Sequence, residues 1–204
     1  MDKILTIVIP TYNMEKYLSN CLESFIYDKQ TNDIEVLIVN DGSKDNSINI
    51  ANEYAKKYPN IFKVIDKENG GHGSTINAGL KVATGKYFKV VDSDDWVDTN
   101  NFKKLVAYLK TSDVDCVVCD YKQVYDSTSK EKIVSCKMGE YNTPLLLKNI
   151  NIFRFYMAAT NYKTSLIRNI SIDEKCFYVD VEYNEFCASK CSNCVCLDLN
   201  VYRY

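Results

Sequence analysis

The chain has 204 residues, of which 46% are hydrophobic and 25% charged, and a formal net charge of −2. That length and apolar content suit one domain with a sizeable core. The absent basic surplus argues against nucleic acid or an anionic membrane as the main partner. No apolar run approaches the roughly 18 residues that a membrane span needs.

The N-terminal run Ile4 to Pro10 is apolar and β-branched, and reads as a buried strand with no signal-peptide cleavage pattern behind it. Asn13 is placed to cap a helix with Leu18, Cys21, Leu22 and Phe25 inward. Ile34 to Val39 is a second strand. Asp41-Gly42-Ser43 then turns into a helix with Ile48, Ala51, Tyr54, Ala55 and Tyr58 on one side and Pro59 past its end. Ile61 to Ile65 is a third strand, followed by the polar, three-glycine segment DKENGGHGST. The next helix has Ile76, Leu80 and Ala83 inward and Gly85 as its stop. Tyr87 to Val91 is a fourth strand, Asp98 or Thr99 caps a helix with Phe102, Leu105, Val106 and Leu109 inward, and Val114 to Cys119 is a fifth strand. Beyond Tyr121 the pattern loosens. QVYDSTSKEKIVSCKM reads as two strands around a polar turn, segments near 143–150, 161–168 and 180–191 as helical, and Cys194 to Tyr204 as a strand.

Alternating strands and helices with near-continuous apolar strands predict an α/β fold: a Rossmann-type, three-layer α/β/α domain on a mostly parallel central sheet. With no linker or repeat, 1–204 reads as one domain with a more irregular C-terminal half. Of the nine cysteines, Cys116 and Cys119 are three apart on a strand and so face opposite ways. Cys187, Cys191, Cys194 and Cys196 lack a histidine or a second pair at zinc-finger spacing, and read as packed, reduced thiols.

Ligands of an open parallel sheet bind outside the carboxyl ends of its strands. There the sequence collects Pro10-Thr11-Tyr12-Asn13, Asn40-Asp41-Gly42-Ser43, Asn69-Gly70-Gly71-His72-Gly73 and Asp92-Ser93-Asp94-Asp95. Glycines at a helix N-terminus suit phosphate, because backbone N–H groups can approach it and the helix dipole favours anions. Three carboxylates beside a diphosphate would repel it unless a divalent cation, Mg²⁺ or Mn²⁺, sits between them. The glycine segment is neither a P-loop, lacking Gly-Lys-Ser/Thr, nor a dinucleotide fingerprint, since the turn after the first strand has no glycine. Asp95 reads as hydrogen-bonded on its helix side, and Trp96 either seals the core edge or stacks on a sugar.

These motifs resemble the family 2 glycosyltransferases of GT-A fold. VIPTYN is similar to the family's opening motif, EVLIVNDGSKDNS to its second, and ENGGHGSTINAGLKVATGKYFKVVDSDDW to its third, which ends in the DxD; the match is close over residues 4 to 97. FYVDVEYN sits where the family usually has Glu-Asp before a helix, and LDLNVYRY resembles a late strand. The resemblance implies inverting, metal-dependent transfer from a nucleotide-sugar donor, a UDP-sugar, to a hydroxyl of a glycan or lipid-linked acceptor in cell-surface polysaccharide synthesis. It implies that Pro10, Thr11, Tyr12, Asn13, Asn69, Gly71 and His72 bind the donor, with Asp41 on the base. Asp94 would be the metal ligand, Asp92 a companion near ribose or metal, and Asp180 the general base. A cytoplasmic site, with a peripheral seat on the inner face of a membrane, is the matching expectation. The family often has Arg where this chain has Ile76, and Glu where it has Val179. Two other readings use the same residues: a nucleotidyltransferase, whose usual Arg-containing glycine loop after the first strand is missing, and a non-catalytic sugar-nucleotide-binding module.

Overall fold

A computed structural model describes residues 3–29, 31–125, 130–136, 142, 145–146 and 156–204. Its elements are β1 (Leu5–Thr11), α1 (Leu18–Ser24), β2 (Ile34–Asp41), α2 (Ser47–Lys57), β3 (Phe62–Lys67), α3 (His72–Val82), β4 (Tyr87–Val90), β5 (Trp96–Val97), α4 (Thr99–Thr111), β6 (Cys116–Tyr125), β7 (Lys130–Val134), β8 (Leu145–Leu146), a 3₁₀ turn at Met157–Ala159, β9 (Thr160–Lys163), α5 (Thr164–Ile167), α6 (Val179–Ser189) and β10 (Asn193–Arg203).

The strands form one sheet in the order β3-β2-β1-β4-β9-β6-β10-β5, with β7 paired to β6 and β8 to β10. β3, β2, β1 and β4 are mutually parallel. β9 runs against both β4 and β6, and β10 is parallel to β6. The longer strands therefore all point one way, with β9 reversed between two parallel blocks. This is the expected α/β architecture. β1 and β2 are buried along their whole length, because helices cover both faces. Alternate residues feed two cores: Ile7, Ile9, Val36 and Ile38 pack under α1, α2 and α4, while Val8, Leu37 and Val39 pack against α3 and α6. Cys116 and Cys119 fall on opposite cores, as the strand period requires.

Several sequence expectations shift. Asn13 caps no helix: it is left-handed (φ 55°), and α1 begins only at Leu18 after a turn closed by Tyr17 and Leu18 N–H to Met14 O. Asn13 is instead tied to the turn after β2, donating its N–H to Ser43 Oγ (3.1 Å) and accepting the Lys44 N–H (2.8 Å). Asp98 does cap α4, accepting the Asn101 N–H at 2.9 Å, and Arg203 braces it from β10 at 2.9 Å. The helix read near 161–168 splits into β9 and the single turn of α5. Most of the helix read near 143–150 lies outside the described residues, but Leu145–Leu146 within it pairs with β10 as strand. The two strands around a polar turn are β6 and β7, antiparallel; their turn, 126–129, is likewise outside the described residues.

Candidate active site

The first four strands to be named end together, and their carboxyl ends wall a cleft of about 410 Å³. Pro10, Thr11 and Tyr12 come from the end of β1, Asp41 from β2, Asn69, Gly71, His72 and Thr75 from the segment entering α3, and Asp92 to Asp95 from the turn after β4. Tyr204, following β10, closes one side. A second cavity of about 640 Å³ lies across the β2 turn, lined by Asn40, Gly42, Lys44, Ile48 and Lys67 among others, and shares Tyr12 and Asn69 with the first. Tyr12 is 47% exposed at this junction.

The glycine segment is organised by Asp41. Its carboxylate accepts the N–H groups of Gly70 and Gly71, both at 2.9 Å, and the Lys67 ammonium at 2.7 Å. The amides expected to face phosphate are thus given to a protein carboxylate, which is buried and needs those donors. Burial pulls the Asp41 pKa upward, but Lys67 and the two amides outweigh it and hold the carboxyl below its ordinary value. Lys67 also reaches Glu68 O and Ser74 Oγ, and Asn69 donates to Asp41 O at 2.9 Å. Gly71 is left-handed (φ 84°), a conformation that glycine adopts without cost. Ile76, where the family often has Arg, is fully buried in the core under α3; the cation beside Asp41 is Lys67.

The acidic turn separates its three carboxylates. Asp92 pairs with His72, Oδ1 to Nε2 at 2.9 Å. Asp95 is buried against the hydroxyl of Tyr202, which donates to it from β10. Its partner is therefore a strand far along the chain rather than α4, correcting the helix-side expectation: Asp95 points under the turn, while Asp98 already serves the helix. Burial pushes the Asp95 carboxyl up to about 7; the Tyr202 hydrogen bond opposes this, and the charges of Asp94 and Asp92 add to it. Asp94 is exposed in the cleft and, among the described residues, has no hydrogen-bond or ion-pair partner. Trp96 pairs in β5 with Arg203 and does not line the cleft.

These donors fit a hard divalent cation. Asp94 offers free carboxylate oxygens and Asp92 stands two residues away, but no three side-chain ligands of this turn converge; the only such convergence among the described residues is Asp173, Cys176 and Glu182, elsewhere. One or two carboxylates with the rest of the shell left to substrate is how Mg²⁺ and Mn²⁺ are commonly bound beside phosphates.

Two expected site residues lie off the cleft wall. Asn13 joins the β1 and β2 turns. Asp180 is exposed in the first turn of α6, behind Tyr178. Val179 beside it points into the core, which explains an apolar residue there. Sequence reasoning missed Met14, Thr75 and Tyr204 as wall residues. The first two adjoin motifs already singled out, whereas Tyr204 arrives through the β6–β10 pairing and carries no local signal.

The model of the family described as "Glycosyl transferase family 2" matches residues 6–176. The putative glycosyltransferase EpsH of Bacillus subtilis is 39% identical over 128 residues, covering 62% of this chain and 36% of that protein. The minor teichoic acid biosynthesis protein GgaB of the same species is 31% identical over 176 residues, 84% of this chain and 19% of its own length. The chain thus spans well under half the length of these relatives. Among solved structures, S. aureus TarS 1-349 in complex with UDP-GlcNAc superposes with a TM-score of 0.81 at 25% identity, over 98% of this chain and 58% of that one. Together with the DxD-bearing cleft, these likenesses settle the kinship: the chain belongs to glycosyl transferase family 2.

Proposed function

We propose that this chain carries the centre for inverting, metal-dependent transfer of a sugar from a UDP-sugar to an acceptor hydroxyl in cell-surface polysaccharide synthesis. The observation that carries the reading is one cleft in which four parallel strand ends, the N-terminus of α3 and the exposed Asp94 face a common space. Supporting it, TarS was solved with UDP-GlcNAc and with UDP, and relatives include a teichoic acid biosynthesis protein and a poly(ribitol-phosphate) beta-glucosyltransferase.

In this reading residues 1–97 seat the donor. Tyr12 and Asn69, shared by both cavities, hold the nucleoside with Pro10 and Thr11, and Asp41 faces the base while fixing the Gly70–Gly71 backbone. Asp94, with Asp92 released from His72, would hold Mg²⁺ or Mn²⁺. When bound, that ion supplies neutralising charge for the departing diphosphate. Residues 98–204 serve the acceptor. Its hydroxyl oxygen bonds to the anomeric carbon as the bond to the diphosphate breaks, and its proton passes to Asp180. Asp180 offers its carboxylate oxygens to that proton from the exposed first turn of α6.

The test is binding followed by turnover. UDP with Mn²⁺ should raise the melting temperature by mass action, by about 2.7 kcal/mol of stability at a hundredfold excess over Kd. Asp94→Asn should abolish the metal-dependent part of that gain. Asp180→Asn should keep it and lower transfer by about 10²–10⁴-fold, measured as UDP release with acceptor. A folded protein that ignores UDP in the presence of metal overturns the donor assignment.

A further inference from the structure

The loop between α5 and α6 is tied along the front of α3. Asn77 exchanges two hydrogen bonds with the backbone of Ile172, donating at 2.8 Å and accepting at 2.9 Å. The Lys175 N–H donates to Gly70 O at 3.0 Å. Gly73 lies so close to Asp173 that a Cβ there would stand 2.1 Å from its carbonyl oxygen, and a Cβ on Gly71 would stand 3.2 Å from Lys175 Cα. The loop is therefore anchored to the segment that walls the cleft.

A loop held this firmly nonetheless sends two rings into water. Phe177 is 91% exposed and Tyr178 82%. The backbone that presents them is left-handed at Lys175 (φ 56°) and Tyr178 (φ 64°), a conformation uncommon in residues other than glycine. Phe177 lies two residues beyond Lys175, so its Cα is within about 12 Å of Gly71 in the cleft wall. Tyr178 precedes α6, two residues before Asp180. The loop carries more acid than base: Asp173, Glu174 and Asp180 are exposed beside one cation, Lys175.

We propose that Phe177 and Tyr178 are the platform for the acceptor's sugar, and that this acceptor is an uncharged glycoside. The inference rests on the glycosyl-transfer reading above. Pyranose rings present C–H faces that stack on aromatic rings, and their hydroxyls donate to carboxylates. The same carboxylates repel a phosphate-bearing polymer or an anionic lipid surface. In chain order the two rings stand between Lys175, beside the cleft-wall residue Gly71, and Asp180.

The experiment compares the chain with Phe177→Ala/Tyr178→Asn, asparagine being chosen because it tolerates the left-handed backbone. Methyl β-glucoside, methyl β-galactoside and methyl β-N-acetylglucosaminide serve as acceptors, with poly(ribitol phosphate) as the charged control. The expected result is an acceptor KM raised at least tenfold with the UDP-sugar KM moving less than twofold, and a neutral glycoside preferred over poly(ribitol phosphate) by at least tenfold. Saturation-transfer NMR with the methyl glycosides reads the platform without turnover, so a chain inactive with every UDP-sugar sinks the transfer reading while the platform is still judged by glycoside signals present in the parent and lost in the variant. An unchanged acceptor KM and unchanged NMR signals overturn the proposal. So does a preference for poly(ribitol phosphate), or phosphatidylglycerol-vesicle binding that disappears in the variant while the acceptor KM holds.

Discussion

Asp95 sits beneath the acidic turn, 8% exposed, against the Tyr202 hydroxyl. Its carboxyl titrates near 7 in the fold, compared with about 3.9 in an unfolded chain. Between those values the folded protein keeps a proton that the unfolded chain releases. Its contribution to stability is therefore full below about pH 4 and drains away as pH rises through 7. Asp95→Asn is neutral, nearly isosteric, and can still accept from Tyr202. Without divalent metal, the variant should be more stable than the parent at pH 8 by on the order of 4 kcal/mol, and match it near pH 4. Melting curves at the two pH values check this; a pH-independent difference would assign the effect to packing instead. Asp41 illustrates the opposite case, a buried carboxylate kept ionised because a lysine and two amides reach it. Both aspartates were visible in the sequence as members of motifs. Their protonation states were not, because Tyr202 is 107 residues from Asp95 and Gly70 is 29 from Asp41.

At the scale of elements, α3 is where the two halves of the chain meet. Arg168 clamps its far end through Leu80 O and Ala83 O, both at 2.9 Å, and the 171–178 loop lies along its start. Gly73 makes that approach feasible, since a methyl group would collide with backbone at Asp173. Gly73→Ala should cost about 1–3 kcal/mol, despite alanine's better helix propensity of roughly 1 kcal/mol, because backbone yields less readily than a flexible side chain. Denaturant midpoints check this, and a variant at least as stable as the parent would show that the loop gives way freely. The strands and helices of residues 4–111 were legible because each carries its own periodicity and punctuation. The reversed strand β9 was not: its four residues, Thr160–Lys163, become a strand by pairing with β4 and β6 on either side. Likewise the start of α1 was misplaced, because Asn13 is claimed by the β2 turn rather than by the helix that follows it.

Across the whole molecule the two cores on either face of the sheet absorb most of the cysteines. All nine cysteines are free thiols. Cys21, Cys116, Cys119, Cys136, Cys187, Cys194 and Cys196 are buried, Cys191 is partly covered, and Cys176 on the α5–α6 loop is exposed. Burial pushes the thiols of Cys119, Cys136, Cys191 and Cys194 up to about 12, which suppresses the reactive thiolate as well as access to it. The spacing of Cys187, Cys194 and Cys196 thus reflects helix and strand positions filled by small apolar side chains, with Cys191 in the turn between α6 and β10. Titration of the native chain with a thiol reagent such as DTNB should show one fast equivalent, removed by Cys176→Ser, with the rest appearing at the rate of unfolding and all nine reacting in guanidinium. Fast reaction of the buried Cys194 or Cys196 in the native state would mean that the β6–β10 half of the sheet opens without global unfolding. That half carries Tyr204 to the cleft wall and Tyr202 beneath it against Asp95, so UDP with Mn²⁺ should then slow the additional reaction if the donor cleft and this part of the sheet are energetically one unit.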